Sequence, residues 1–209
     1  MLEIHGFATP NSVKVVIAAE EMGLPYRLVP IDLRRGEQRS DAFRSLNPNG
    51  KVPVLLDRAP VAGPDVILSE SAAILVYLAE KTGRLLPADM GQRGRVFEQL
   101  FFHASGLSPA FLQGFLLGMQ KTPSEQAKEA ASSEINRVLD LLDTNLERHR
   151  YVAGDDYTIA DIAHFGWIWR HSAVGTQLDR FRFVKGWHDE IFARPAVVSA
   201  IAQTLKLAA

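Results

Sequence analysis

The chain has 209 residues, a formal net charge of −1 and no cysteine, and 47 % of its residues are hydrophobic. The length fits one large or two small domains, and the charge gives no electrostatic reason to expect nucleic acid or an anionic membrane as partner. Without cysteine there is no disulfide, thiolate metal ligand or Cys-x-x-Cys redox pair. No apolar run approaches the roughly 20 residues of a membrane span, and the N-terminus lacks signal-peptide features. We therefore expect a cytoplasmic protein.

The first part of the chain, up to about residue 83, alternates strand and helix patterns. Apolar alternation predicts a strand over 2–7, and Gly23 marks the end of the helix that follows it. Pro30 cannot donate to a strand ladder, so the second strand is placed at a sheet edge. The order is strand–helix–strand, then helix–strand–strand–helix. The further predicted elements are strands over 26–32, from Val52 and over 66–70, with helices near 41–46 and up to Gly83.

The rest of the chain shows helix patterns and no strand pattern. Long helices are predicted over 91–119 and 124–148, another begins at Thr158, and shorter ones lie near 187–192 and 195–205. This segregation predicts an α/β part followed by an all-α part packed as two domains. The predicted boundaries are 1–83 for the first domain, 84–90 for a linker and 91–209 for the second.

The segment "AGDDYTIADIAHFGW" contains a helix-capping pattern. Thr158 and Asp161 stand three residues apart before an apolar run, which is the spacing of a capping box. Each side chain is expected to bind an otherwise unpaired N–H group at the helix start. This pattern supports the fold and carries no information about a substrate.

The segment "GKVPVL" places a proline at the start of a strand that otherwise looks central. One use of this arrangement is a cis Val52–Pro53 bond, which would turn the backbone N–H and C=O of Val52 toward an extended, peptide-like ligand. The alternative is a trans proline at the entrance of the strand.

The segment "LSESAAI" lies where a strand passes into a helix. Free N–H groups and the helix dipole make such a junction suitable for an anion. Ser71 could bind a ligand carboxylate and Glu70 a ligand ammonium, and a group with both charges is an α-amino acid head. The alternative is that Ser71 or Ser69 only caps the helix.

The order of these motifs resembles the glutathione transferase superfamily. "NPNGKVPVL" followed by "LSESAAILVYLAE" is similar to its signature, and the resemblance extends over essentially the whole chain. It implies an N-terminal thioredoxin-like domain with a four-stranded mixed sheet, and a helical C-terminal domain. In that family the residue before the cis proline pairs with the cysteinyl backbone of glutathione, a Glu-Ser pair holds the γ-glutamyl head, and a basic or amide side chain meets the glycyl carboxylate. The glutathione-binding residues that this implies are Gln38, Lys51, Val52, Pro53, Glu70 and Ser71.

The first strand–helix junction, "ATPNSVKV", has neither tyrosine nor cysteine. This excludes the subgroups that activate the glutathione thiol with a tyrosine hydroxyl or use a cysteine. Together with "DLRRGEQRSDAFRSLNPNGKVPVL", the junction is most similar to the bacterial Nu-type enzymes and the related fungal nitrogen-regulator protein. In that subgroup a Thr and an Asn face the glutathione sulfur, which here implies Thr9 and Asn11, with Ser12 as the alternative.

The resemblance implies an enzyme that uses glutathione as substrate and needs no metal. Nu-type enzymes reduce disulfides with glutathione, whereas other members conjugate glutathione to electrophiles, and both activities are compatible with a chain that lacks cysteine. A glutathione-binding regulatory protein without turnover is a third possibility. Family members mostly pair as homodimers. The expected partners are thus glutathione or its oxidised form, a small electrophile or disulfide, and a second copy of the chain, without nucleic acid or membrane.

Two further polar residues have open roles. His103 lies in a helix where relatives often have Gln, and it is interpreted as a partly buried interface residue instead of an acid–base catalyst. Arg137 either reaches a glutathione carboxylate across a dimer or lies on a solvated helix face. The histidines show no tight metal-ligand spacing, since His164 and His171 have no convincing carboxylate beside them.

Overall fold

The computed structural model describes residues 1–58 and 63–208, so part of the predicted loop "RAPVAGPD" lies outside the described residues. The chain divides into two compact units. One comprises Met1–Leu85 together with the segment from Arg194 onward, and the other comprises Leu86–Ala193. The C-terminal helix, which lies within the predicted second domain 91–209, thus groups with the first unit. The division into folding domains at 1–83, 84–90 and 91–209 stays a prediction.

The first unit contains a four-stranded mixed sheet with the strand order β2-β1-β3-β4. Strands β1 and β2 are parallel, and the pairs β1–β3 and β3–β4 are antiparallel. β2 lies at the edge, as predicted from Pro30, and β3 begins two residues later than expected because pairing starts at Val54. The strands are β1 (Leu2–Gly6), β2 (Tyr26–Pro30), β3 (Val54–Asp57) and β4 (Val66–Leu68).

Helices supply most of the remaining structure, and most of their bounds lie within two residues of the predicted ones. In the first unit they are α1 (Pro10–Met22), α2 (Asp41–Leu46), α3 (Ser71–Thr82) and α9 (Pro195–Lys206). In the second unit they are α4 (Met90–Phe102), α5 (Ser108–Gly118), α6 (Glu125–Leu146), α7 (Ile159–Ile168) and α8 (Arg182–Phe192).

Helix α1 illustrates how local sequence sets these bounds. Thr9 is the N-cap and accepts a hydrogen bond from the Ser12 N–H at 3.1 Å, and Pro10 occupies the first helical position. Gly23 ends the helix in the left-handed conformation with φ of 68°. Helix α1 packs against α3 and α9 within the first unit.

Helix α8 begins earlier than the sequence predicts. The predicted helix lies near 187–192, whereas the observed one starts at Arg182. The additional turn is stabilised by Asp143 of α6, whose Oδ1 accepts hydrogen bonds from the backbone N–H groups of Phe183 and Val184, each at 2.8 Å. A cap from a residue about 40 positions away cannot be identified from local sequence.

The predicted long helix over 91–119 is observed as α4 and α5 joined by a π-helical turn, His103–Leu107. The stretch Met90–Gly118 is long and apolar enough to cross a membrane by length and composition alone. This differs from the expectation that no apolar run approaches that length. A core helix of a protein without membrane spans passes the same criterion.

The predicted capping box of α7 is confirmed. Thr158 is the N-cap, and the Asp161 carboxylate accepts hydrogen bonds from the N–H groups of Thr158 and Val152, both at 2.9 Å. The indole Nε1 of Trp187 donates to the same carboxylate at 2.9 Å. Asp161 is completely buried, and this burial raises its pKa to about 6 against the opposing effect of these donors.

Candidate functional site

The register of the sheet brings the predicted motifs to one edge of the first unit. His5 at the end of β1 pairs with Val54 at the start of β3, and Leu55 pairs with Leu68 at the end of β4. The chain therefore leaves β1, enters β3 and leaves β4 at the same edge of the sheet, which is the edge formed by strand ends and not the lateral edge formed by β2. The segments at these three points are "ATPNS", "GKVP" and "SES", which carry all but one of the predicted site residues. The remaining one, Gln38, follows β2, whose last residue pairs with Gly6 at this edge.

The Val52–Pro53 peptide bond is cis. This is the first of the two alternatives that the sequence left open. Both residues are buried, and neither the N–H nor the C=O of Val52 has a hydrogen-bond partner among the described residues. The preceding carbonyl, that of Lys51, accepts a hydrogen bond from Asn47 Nδ2 at 2.7 Å. The Val52 backbone is thus available to an extended ligand while the residues before it are held in place.

The N-terminus of α3 has no side-chain cap. Glu70 occupies the N-cap position without a capping hydrogen bond from its side chain, and Ser71 is the first helical residue. The alternative in which Ser71 or Ser69 serves as the N-cap is therefore not what the structure contains. Because the first N–H groups of a helix need partners and carry positive partial charge, this end of α3 suits an anionic ligand group. Glu70 itself is exposed and can receive a cation.

Gln38 and Lys51 lie on neighbouring segments. Gly50, which precedes Lys51, has φ of 64°, and a side chain at this position would place Cβ 3.1 Å from the carbonyl oxygen of Gln38. The Oε1 atom of Gln38 is buried and has no hydrogen-bond partner within residues 1–58 and 63–208. Lys51 is exposed. An amide N–H₂ group and an ammonium group are donors that suit a carboxylate.

The hydroxyl groups of Thr9 and Ser12 bind each other. Thr9 Oγ1 donates to Ser12 Oγ at 2.9 Å and accepts from the Ser12 N–H at 3.1 Å. Ser12 Oγ also accepts from the Phe7 N–H at 3.3 Å, and only 1 % of Ser12 is exposed. These contacts explain both residues as parts of the β1–α1 turn. Their predicted contact with a ligand sulfur stays a prediction.

Asn11 differs from its two neighbours in the use of its side chain. Its Oδ1 accepts a hydrogen bond from Lys14 Nζ at 2.7 Å. Its Nδ2 makes no hydrogen bond in the part of the chain that the structure describes, and the residue is only partly buried. Of the three predicted donors at this junction, Asn11 is thus the one with N–H groups available to a ligand.

Lys14 is the residue that the sequence analysis missed. It is completely buried in α1, and burial shifts its pKa well below the ordinary value, opposed by attraction to Glu70. The only sequence signal is a lysine within the apolar run "VKVVIAA", all of which is buried in the structure.

His103 and Arg137 lie in the second unit. Only 2 % of His103 is exposed, and its ring packs edge-on against that of His164 with 5.3 Å between centroids. Arg137 is exposed and donates two hydrogen bonds to Glu134, at 2.6 and 2.8 Å. A group of three or more side chains suited to a metal ion is absent from the described residues.

The comparison with known families agrees with this arrangement. Residues 8–81 match the family description "Glutathione S-transferase, N-terminal domain", and residues 106–195 match "Glutathione S-transferase, C-terminal domain". The chain belongs to the glutathione S-transferase family. The thioredoxin-like first part and the helical second part that the resemblance implied are thereby confirmed.

Individual relatives resemble the chain over nearly its full length. The disulfide-bond oxidoreductase YfcG of Escherichia coli is 34 % identical over 203 residues, which cover 96 % of this chain and 94 % of YfcG. The disulfide-bond oxidoreductase YghU of the same organism is 35 % identical over 94 % of this chain and 72 % of its own length.

Solved structures of family members superpose well on the chain. A glutathione transferase family member from Pseudomonas fluorescens with two glutathione molecules bound has a TM-score of 0.90 at 34 % identity, covering 96 % of this chain and 92 % of its own. A glutathione transferase from Pseudomonas putida with one glutathione disulfide bound per subunit has a TM-score of 0.89 at 33 % identity, covering 96 % and 90 %.

Proposed function

We propose that the protein is a glutathione-dependent enzyme of this family that reduces disulfides. The observation that carries the proposal is the single sheet edge at which the Asn11 amide, the unpaired Val52 backbone and the uncapped start of α3 come together. These groups match the thiol, the cysteinyl backbone and the charged head of glutathione in turn. The names of the two Escherichia coli relatives and the ligands of the two Pseudomonas structures support the same assignment.

Each end of glutathione has a matching group in this arrangement. The γ-glutamyl carboxylate binds the Ser71 hydroxyl and the first N–H groups of α3, and its ammonium pairs with Glu70. The backbone of Val52, held beside Pro53, pairs with the cysteinyl residue as an added strand would. Gln38 and Lys51 receive the glycyl carboxylate. This places the thiol at the start of α1, where the helix dipole and Asn11, with Thr9 nearby, favour the thiolate.

The reaction takes place between ligands because the chain has no cysteine. The thiolate of one glutathione attacks a disulfide sulfur, which forms a mixed disulfide and releases one thiolate. A second glutathione thiolate attacks the glutathione sulfur of this mixed disulfide, which releases the other thiolate and leaves oxidised glutathione. The two protons lost by glutathione go to the two released thiolates. The protein contributes orientation and a lowered thiol pKa.

Conjugation of glutathione to an electrophile is the second candidate activity. It is favoured by a further relative, glutathione S-transferase 2 of Schizosaccharomyces pombe, which is 33 % identical over 94 % of this chain. Both activities need the same glutathione thiolate, so they differ in the second substrate that it attacks, a disulfide or an electrophile. A glutathione-binding protein without turnover is less well supported, because Asn11 keeps an unengaged donor where a thiol would lie.

Two assays separate these activities. The first measures turnover of a small disulfide with reduced glutathione, and the second measures turnover of an aryl halide under the same conditions. We expect the disulfide to react faster, and reaction of the aryl halide alone would reject disulfide reduction. Calorimetry with glutathione tests the common premise, since a protein that does not bind glutathione has neither activity. A structure soaked with oxidised glutathione then locates both halves of the ligand.

We also propose that the protein is a homodimer in the cytoplasm. If conjugation is its main activity, its role is detoxification of electrophiles. A two-fold dimer is the commonest assembly of soluble homo-oligomers, and glutathione is abundant in reducing compartments. Sedimentation equilibrium tests the assembly: a mass near twice 23.1 kDa is expected, and a mass of one chain at all concentrations contradicts it.

A further inference from the structure

Lys14 occupies a position that is electrostatically unfavourable for a cation. Its side chain is completely buried, and it lies in the second turn of α1, near the positive end of the helix dipole. An apolar residue of similar length would fill the same space without losing hydration. The amine group must therefore be explained by what it contacts.

The contact with Asn11 fixes the orientation of a side-chain amide. Lys14 Nζ donates a hydrogen bond to Asn11 Oδ1 at 2.7 Å, which is the only direction open to an ammonium group because it has no acceptor. With Oδ1 held in this way, the Nδ2 group with its two N–H donors must face the other side. That side is where the described residues supply no hydrogen-bond acceptor.

We propose that Lys14 is a positioning residue for the thiol site: it holds the Asn11 carboxamide so that the amide N–H groups face the sulfur of bound glutathione. This inference rests on the proposed function. Lys14 itself does not touch the ligand sulfur, and acts through Asn11.

Electrostatics adds to the effect of orientation. A hydrogen bond accepted by Oδ1 polarises the amide and strengthens the N–H groups as donors, and this cooperative effect is larger in a desolvated site. Burial lowers the pKa of Lys14, and attraction to the Glu70 carboxylate opposes this effect. The same lysine thus connects the residue proposed to meet the thiol with the residue proposed to meet the ligand ammonium.

The test compares five proteins by the ultraviolet absorbance of the bound glutathione thiolate as a function of pH. They are the wild type, Lys14→Met, Asn11→Ala, the double variant, and Lys81→Met as a matched control. Methionine keeps the length of lysine and removes the donor. Lys81 is another lysine of the first unit; 18 % of its side chain is exposed, and it pairs with Asp57 at 2.6 Å. Calorimetry at a pH where the thiol is protonated measures glutathione affinity separately.

In Lys14→Met we expect the fraction of bound glutathione present as thiolate at neutral pH to be about tenfold smaller than in the wild type, because one oriented hydrogen bond is lost. Its affinity for protonated glutathione should change much less, and Lys81→Met should titrate like the wild type. Because Lys14 acts through Asn11, the double variant should match Asn11→Ala.

Two results would overturn the inference while leaving the proposed function intact. One is a Lys14→Met protein that binds glutathione and titrates like the wild type. The other is a double variant in which the two losses multiply, because Lys14 would then act independently of Asn11. Absence of glutathione binding by the wild type rejects the proposed function instead. If Lys14→Met does not fold, Lys14→Gln replaces it: its shorter side chain holds Asn11 less well, and an unchanged thiolate fraction overturns the inference.

Discussion

Arg194 donates two hydrogen bonds to the carboxylate of Glu21, from Nε at 2.6 Å and from Nη2 at 3.0 Å, across 173 residues of sequence. Glu21 lies in the last turn of α1, and Arg194 directly precedes α9. The pair is partly shielded from solvent, since 10 % of the Glu21 side chain and 32 % of the Arg194 side chain are exposed. It attaches the start of α9 to α1, against which this helix packs.

We expect Arg194→Ala to lower the free energy of unfolding by about 1–2 kcal/mol, which is toward the lower end for charge-assisted hydrogen bonds because the pair is partly exposed to solvent. Denaturant unfolding of Arg194→Ala, Glu21→Ala and the double variant measures the coupling between the two residues. Arg137→Ala is a matched control, because Arg137 makes the same two-bond contact with Glu134 at an exposed position. Its substitution should lower the free energy of unfolding by less than that of Arg194. Zero coupling between Arg194 and Glu21 would contradict the prediction.

The local elements of the fold could be predicted because their signals lie within a few residues of each other. Gly23 and Gly83 end α1 and α3 as expected, and Thr158 begins α7. The placement of α9 and the early start of α8 could not be predicted in this way. The start of α9 contacts Glu21 and the start of α8 contacts Asp143, and both contacts join residues that are far apart in sequence.

The candidate site also has features that local sequence predicts and features that depend on the folded geometry. The residue types at the start of α1, before β3 and before α3 indicated which chemistry each segment supports. Whether a side chain is already engaged depends on geometry that sequence does not contain: the Ser12 hydroxyl is used inside the turn, whereas the amide of Asn11 is not. Lys14 was missed because a lysine in an apolar helix face gives no indication of its contact.

Ser71→Ala should weaken glutathione binding by about tenfold, because one hydrogen bond to the ligand carboxylate is lost. The free energy of unfolding should stay within about 0.5 kcal/mol, since Ser71 is not the N-cap of α3. Calorimetry and thermal melts measure the two quantities. Ser69→Ala is the control, as it removes a neighbouring hydroxyl just outside the helix. A stability loss without an affinity loss would return Ser71 to a capping role.

Ser12→Ala and Asn11→Ala should change different properties of the protein: the first its stability, and the second the pKa of the bound thiol. Removal of the Ser12 hydroxyl leaves the buried Phe7 N–H without its acceptor, so the free energy of unfolding should fall by about 1–2 kcal/mol while the thiol pKa stays near that of the wild type. Asn11→Ala should raise the pKa of the bound thiol and cost less stability. Thermal melts and thiolate titration distinguish the two. The reverse pattern would identify Ser12 as the residue that activates the thiol.

Gly50→Ala should disturb the site that we propose for the glycyl carboxylate at Gln38 and Lys51. Alanine with φ of 64° is strained by about 1 kcal/mol, and its Cβ would lie 3.1 Å from the Gln38 carbonyl oxygen. Gly83 is a matched control, because its φ is 66° and an added Cβ meets no described atom within 4 Å. Both variants should lose stability in chemical denaturation, with the larger loss at Gly50. Reduced glutathione affinity is expected for Gly50→Ala alone, and equal affinity in both would separate Gly50 from the site.

Asp161 should make the stability of the protein depend on pH. Burial raises its pKa to about 6 in the folded protein, so the folded state binds a proton more readily than the unfolded state. Its contribution to stability is therefore largest at low pH and is lost as pH rises toward and past 6. Between pH 5 and pH 7 this amounts to about 1 kcal/mol.

The measurement is the free energy of unfolding of the wild type and of Asp161→Asn at pH 5 and pH 7. Asparagine does not titrate, so the variant lacks this contribution, although it is less stable at both pH values because one acceptor oxygen is replaced by an N–H₂ group. The wild type should gain about 1 kcal/mol at pH 5 relative to the variant. Thr158→Ala keeps the carboxylate but removes one of its donors, since Thr158 Oγ1 donates to Asp161 Oδ2 at 3.2 Å. This variant should therefore keep a pH dependence of the same sign, moved toward higher pH because in the wild type this donor lowers the pKa of Asp161. A constant difference between wild type and Asp161→Asn at the two pH values would mean that the four donors around Asp161 hold it ionised throughout.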